Sequence, residues 1–124
     1  MRTILIADRE RSIRKALELY FISRGDFVFM VKTAKEAEAL LKTADLDVVI
    51  YDMQLPGTPA LNIYGEAKEY CDAKFIFTSV YPELPEIDKI KTKADCRYLD
   101  KPFTIKDLKG IIPNPNKENT RIAI

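Results

Sequence analysis

The stretch Val48-Val49-Ile50-Tyr51-Asp52-Met53-Gln54-Leu55-Pro56-Gly57 decides how this chain is read. Four apolar residues in a row, with no polar alternation, describe a strand covered on both faces. Leu55-Pro56-Gly57 then breaks it into a loop, because proline lacks an N–H and glycine accepts turn conformations. Asp52 stands at the junction. In open parallel sheets that junction, the carboxyl end of a strand, is where ligands bind. Three other polar residues close strand-like runs in the same way: Asp8 after 4–7, Thr78 after 75–77 and Lys101 after 98–99. Two acids, a hydroxyl and an ammonium along one sheet edge suggest a phosphoryl site.

Working outward, strands and helices alternate, five of each. Strands are expected at 3–7, 27–31, 48–51, 74–77 and 97–99. Ile13, Ala16, Leu17, Tyr20 and Phe21 share one helix face, and Gly25 supplies the stop. Thr33 and Glu36 have capping-box spacing ahead of Ala37, Leu40, Leu41 and Ala44. Thr58 and Pro59 read as N-cap and first residue of a third helix carrying Leu61, Ile63, Tyr64, Ala67 and Tyr70. After the proline-interrupted stretch 81–85, Ile87, Ile90 and Ala94 mark a short fourth helix. The fifth starts near Thr104, has Asp107 three residues on, and stops by Pro113. Strict alternation with right-handed crossovers predicts a flavodoxin-like α/β fold, a five-stranded parallel sheet of order 2-1-3-4-5. That order sets the ends of strands 1, 3, 4 and 5 side by side. Residues 1–113 form the domain and 114–124 a tail or linker stub.

Bulk composition narrows the function classes. With 124 residues, 47% hydrophobic and 31% charged, the chain builds one core. A net charge of +1 gives no reason to expect nucleic acid or an anionic membrane as partner. Apolar runs such as 27–31 are too short to span a bilayer, and the early charge at Asp8 argues against a secretory signal. There is no histidine, which excludes histidine metal sites and histidine general bases within the chain. Cys71 and Cys96 lack metal-ligand spacing and read as buried thiols of a reducing cytoplasm.

Taken together, Ile4-Leu5-Ile6-Ala7-Asp8, Asp52 with Leu55-Pro56-Gly57, Thr78-Ser79 and Lys101-Pro102-Phe103 resemble the receiver domain of two-component response regulators, in order and spacing. The resemblance implies a signalling domain rather than an enzyme, in which Asp52 accepts a phosphoryl group from a sensor histidine kinase. Lys101 would hold a phosphoryl oxygen. Thr78 would bond another and draw its loop inward, with small Ser79 leaving room for the group. Tyr98 matches the switch aromatic, and the Lys101–Pro102 bond would be cis. The family's metal, Mg²⁺, would be held by acids, by Asp52 and by the Gln54 backbone carbonyl, with Asp8 acting largely through a bound water.

Two departures matter. The family has two adjacent acids after the first strand, whereas this chain has Asp8-Arg9. Two acids with Asp52 and Lys101 sum to −2, but Asp8, Arg9, Asp52 and Lys101 sum to zero. Repulsion between a guanidinium and a nearby dication amounts to roughly a few kcal/mol at an effective dielectric near 20. Mg²⁺ binding is therefore expected to be weak or absent. Arg9 folds into the metal position, pairs with Asp52 and clamps phosphate; or it swings out and Glu10 becomes a ligand; or the domain signals by binding alone. The first geometry is slightly favoured, and the first and third are both left open by the sequence. The last helix is also cut short by Gly110 and Pro113, and Pro82 and Pro85 disturb the same face, which predicts a monomer or weak dimer. No output domain is expected within these residues: the chain reads either as a single-domain regulator acting on an effector protein, or as a receiver joined at the Asn114 linker to an output domain. A rival reading, a flavin or nucleotide enzyme, would need a phosphate-cradling glycine loop, and Gly25, Gly57, Gly65 and Gly110 form none.

Overall fold

Successive side chains of a strand point to opposite faces, and here both faces are apolar. The computed structural model describes residues 1–112. Its elements run β1 (Thr3–Ala7), α1 (Arg11–Ser23), β2 (Phe27–Val31), α2 (Ala34–Thr43), β3 (Val48–Asp52), α3 (Ala60–Ala67), β4 (Lys74–Ser79), α4 (Pro85–Lys91), β5 (Cys96–Asp100) and α5 (Ile105–Lys109). All pairings are parallel, in the order β2-β1-β3-β4-β5. Ile4, Ile6, Val48, Ile50 and Ile76 pack with Leu17 and Phe21 of α1 and Leu108 of α5. Leu5, Val49, Tyr51, Phe75 and Phe77 pack on the other face with Leu41 of α2, Ile63 and Tyr64 of α3 and Ile90 of α4. This two-sided cover is the expected flavodoxin-like arrangement.

Local signals explain most boundaries. Gly25, at φ +83, ends α1 in a Schellman motif: its N–H donates to the Ile22 carbonyl, and the Asp26 N–H donates to Phe21. The Thr33 hydroxyl accepts the Glu36 N–H at 3.2 Å, while the Glu36 carboxylate accepts from the Lys32 N–H and the Thr33 hydroxyl. Thr104 and Asp107 form a full reciprocal capping box. Buried Leu108 anchors α5, which is only five residues long.

Some expectations are corrected. Thr58 is not the N-cap of α3: Pro59 is, with extended ψ, and the helix begins at Ala60. Tyr70 lies past the end of α3 and Ala94 past the end of α4, and both are exposed. Ala16 is exposed rather than core. β2 is an edge strand, so Phe27 and Met30 face solvent despite the uninterrupted apolar run. Pro113 and the tail at 114–124 lie outside the described residues.

The loop after β3 is pinned to α2. The Ala34 N–H donates to the Pro56 carbonyl, and a Cβ on Gly57 would come within 2.9 Å of Ala34 Cβ. Gly57 also has φ +114, where L side chains are strained. Gly57→Ala is expected to cost about 2–4 kcal/mol from strain plus overpacking. Gly25→Ala, with nothing within 4 Å of its Cβ, should cost about 1 kcal/mol. Urea midpoints at unchanged slope measure both, and equal losses would contradict the steric account.

Candidate functional site

Three loops at the carboxyl edge of the sheet continue the strand ladders by one residue. The Asp8 N–H donates to Val31 O (3.1 Å), Met53 N–H to Thr78 O (2.8 Å) and Lys101 N–H to Ser79 O (2.8 Å). The backbone thus fixes where the polar side chains start. Asp52 pairs in register with Thr78 on β4, and Asp8, Asp52 and Thr78 follow the period of the residues facing α1 and α5.

The side chains converge in a buried cluster. Lys101 Nζ donates to Asp8 Oδ2 at 2.8 Å and stands 3.4 Å from Asp52 Oδ2. All three side chains are at most 5% exposed. The second Asp8 oxygen accepts the Glu10 N–H (2.8 Å), and Asp52 Oδ1 accepts the Gln54 N–H (2.9 Å). Burial pushes the Asp52 carboxyl above its usual range; the Gln54 N–H opposes this, the Asp8 charge adds to it, and Lys101 opposes it. Thr78 is buried, and among the described residues its hydroxyl has no hydrogen-bond partner. Lys101–Pro102 is cis.

The remaining expected residues fall as follows. Arg9 does not pair with Asp52: it is exposed, and among the described residues it forms no hydrogen bond or ion pair. The place beside both acids belongs to Lys101. A guanidinium folded in would lose its water and meet that ammonium, so solvent is the better surrounding. Glu10 is also exposed and contributes its backbone N–H to Asp8. Ser79 is fully buried, its hydroxyl bound to Gln54 Nε2 and to the Tyr81 N–H, each at 2.9 Å. Tyr98, opposite Phe77, packs half-buried against the α2–α4 side with its hydroxyl enclosed. Lys91 lies over the Tyr98 ring, 5.7 Å from its centre.

One participant was not foreseen, and one expected residue takes part through different atoms. Arg14 Nη1 donates to the Asp8 backbone carbonyl at 2.7 Å, bracing the loop from α1. Gln54, expected only as a carbonyl donor, uses its side chain instead, with Nε2 on Ser79 and Oε1 accepting from the Val80 N–H (3.4 Å). Nothing in the local sequence distinguishes Arg14, or the reach of the Gln54 side chain, from that of surface polar residues.

The family model for the response regulator receiver domain matches residues 4–113. The chain belongs to this family. Among curated proteins the receiver domain is similar to regulatory protein VanR of Enterococcus faecium, 35% identical over 101 residues, covering 81% of this chain and 43% of that protein. It is 31% identical over 106 residues to the aerobic respiration control protein ArcA of Escherichia coli K12, covering 85% and 44%. The chain thus spans less than half the length of these relatives. The response regulator TrrA of Thermotoga maritima, solved in complex with Mg²⁺ and BeF, superposes with a TM-score of 0.75 at 28% identity, covering 89% of this chain and 95% of that one. A CheY-like receiver from Methanospirillum hungatei gives a TM-score of 0.78 at 24% identity, covering 89% of each chain, a likeness of fold.

Proposed function

We propose that this receiver domain accepts a phosphoryl group on Asp52 from a phosphohistidine of a sensor histidine kinase, and does so with little dependence on Mg²⁺. The observation that carries the reading is Lys101 Nζ set between two buried carboxylates, with the Thr78 hydroxyl, which has no partner among the described residues, in register beside Asp52. A carboxylate oxygen attacks phosphorus; an O–P bond forms and the P–N bond to the imidazole breaks, with the electron pair leaving on nitrogen. Lys101 holds a phosphoryl oxygen as a compact charge, and Thr78 donates to another. Ser79 joins once its present partners release it, and Tyr98 follows the Thr78 loop as the switch. Arg9, at the rim, steers the anionic donor rather than lining the site.

The donor set fits Mg²⁺ poorly. The Asp8 and Asp52 carboxylates and the Gln54 carbonyl supply oxygens, but Lys101 already sits against both acids, and Arg9 replaces the third. The same substitution supports a second reading, a receiver-like binding module that is never phosphorylated. Acetyl phosphate followed by intact mass separates the two. A phosphate-sized gain, lost in Asp52→Asn, is the expected result. No gain, with or without Mg²⁺, would leave the binding module. The relatives' length supports an output domain or effector as partner, and among the described residues no helix is long and apolar enough to cross a membrane. We place its work in the cytoplasm, without nucleic acid contact by this domain, as a monomer or weak dimer.

A further inference from the structure

Gln54 is the only residue named above whose backbone touches the acceptor carboxylate while its side chain holds a different loop. Its N–H donates to Asp52 Oδ1 at 2.9 Å. Its carboxamide reaches the loop after β4 at two points, donating to Ser79 Oγ at 2.9 Å and accepting from the Val80 N–H at 3.4 Å. Ser79 Oγ in turn accepts the Tyr81 N–H at 2.9 Å, and its own hydrogen faces the Tyr81 carbonyl at 3.4 Å. These contacts engage the Ser79 hydroxyl fully, whereas the neighbouring Thr78 hydroxyl has no hydrogen-bond partner among the described residues.

We propose that the Gln54 carboxamide is an autoinhibitory clasp that holds the 79–81 loop in its resting position and is released when Asp52 becomes charged with phosphate. The proposal rests on the phosphoacceptor reading of Asp52. Acyl phosphate formation removes the carboxylate charge that anchors the Gln54 N–H and places new acceptor oxygens beside the Lys101 ammonium and the Thr78 hydroxyl. Drawing Thr78 toward them pulls on the loop that follows it. Ser79 can donate to a phosphoryl oxygen only by giving up the Tyr81 carbonyl, because a hydroxyl carries one hydrogen, and a loop drawn inward stretches the Gln54 contact that holds it. The clasp therefore opposes activation: it must open before the loop moves inward. Its two hydrogen bonds, one part-buried and one exposed, set the resting population, and each contributes a net stabilisation of at most about one factor of five in an equilibrium. A device of that strength holds a loop yet yields to a dianion.

The test uses the full 124-residue chain and two readouts. In the resting protein, with no phosphodonor, Gln54→Ala should speed amide hydrogen exchange at Val80 and Tyr81 by roughly fivefold or more. Ser79→Ala should do likewise, and the two effects should combine to less than their product, because the substitutions share the Gln54–Ser79 contact. Unchanged exchange in Gln54→Ala, or effects of the two substitutions that multiply, would overturn the clasp. With acetyl phosphate, Gln54→Ala should gain phosphate about three- to tenfold faster; a slower or equal gain would also overturn it. Absence of any gain in the unsubstituted chain refutes phosphorylation at Asp52, whereas the exchange readout judges the contact independently.

Discussion

Lys101→Ala should lower the stability of this receiver domain by about 3–5 kcal/mol, the usual consequence of removing one partner from a buried charged cluster. The side chain is 5% exposed and is the cation shared by Asp8 and Asp52. Without it two buried carboxylates face each other with only backbone N–H groups for relief, Glu10 to Asp8 and Gln54 to Asp52. Asp52, already held above the usual carboxylate range chiefly by burial, would rise further. A raised carboxylate favours folding when protonated, so the variant should regain stability as pH falls through the folded Asp52 value toward that of the unfolded chain. Asp52→Asn in the same background should restore part of the loss at neutral pH. Chemical denaturation from pH 7 down to pH 5 measures all three. A loss below about 1 kcal/mol, the range of surface ion pairs, would mean that Lys101 is solvated and not a clamp.

Arg9→Asp should convert the edge of the site into a magnesium site. The substitution removes one positive charge and adds a negative one, a change of two units toward a dication. At the rim, with solvent screening, this corresponds to about 3 kcal/mol, or roughly a hundredfold in affinity. Magnesium titration followed by tyrosine fluorescence (the chain has no tryptophan) or by NMR shifts of Asp8 and Gln54 reads it directly. The unsubstituted protein should not saturate below millimolar Mg²⁺, and phosphorylation by acetyl phosphate should become Mg²⁺-dependent only in the variant. Saturable micromolar binding before substitution would refute the charge argument, since the rim guanidinium would then be irrelevant to the metal.

Much of the fold was legible because its signals are local. The apolar run at 48–51 reports burial on two faces, Gly25 reports a helix stop, and Thr104 with Asp107 reports a helix start. The misreadings also have local causes. Proline after Thr58 fits the first helical position, yet Pro59 takes an extended ψ and serves as the cap. The apolar composition of β2 suggested two covered faces, but an edge position leaves Phe27 and Met30 to solvent. Composition reports what a strand could bury, not whether a neighbour arrives.

By itself, the sequence determined that Asp8, Asp52, Thr78 and Lys101 begin at adjacent strand ends, since strand period and parallel order fix backbone positions from neighbouring residues. Only the tertiary structure decided which side chains meet there. Lys101 reaches Asp8 across 93 positions of chain, Arg9 stays in solvent, and Gln54 grips Ser79 across 25. A long side chain chooses among rotamers that differ by about 1 kcal/mol, so distant partners settle where it goes.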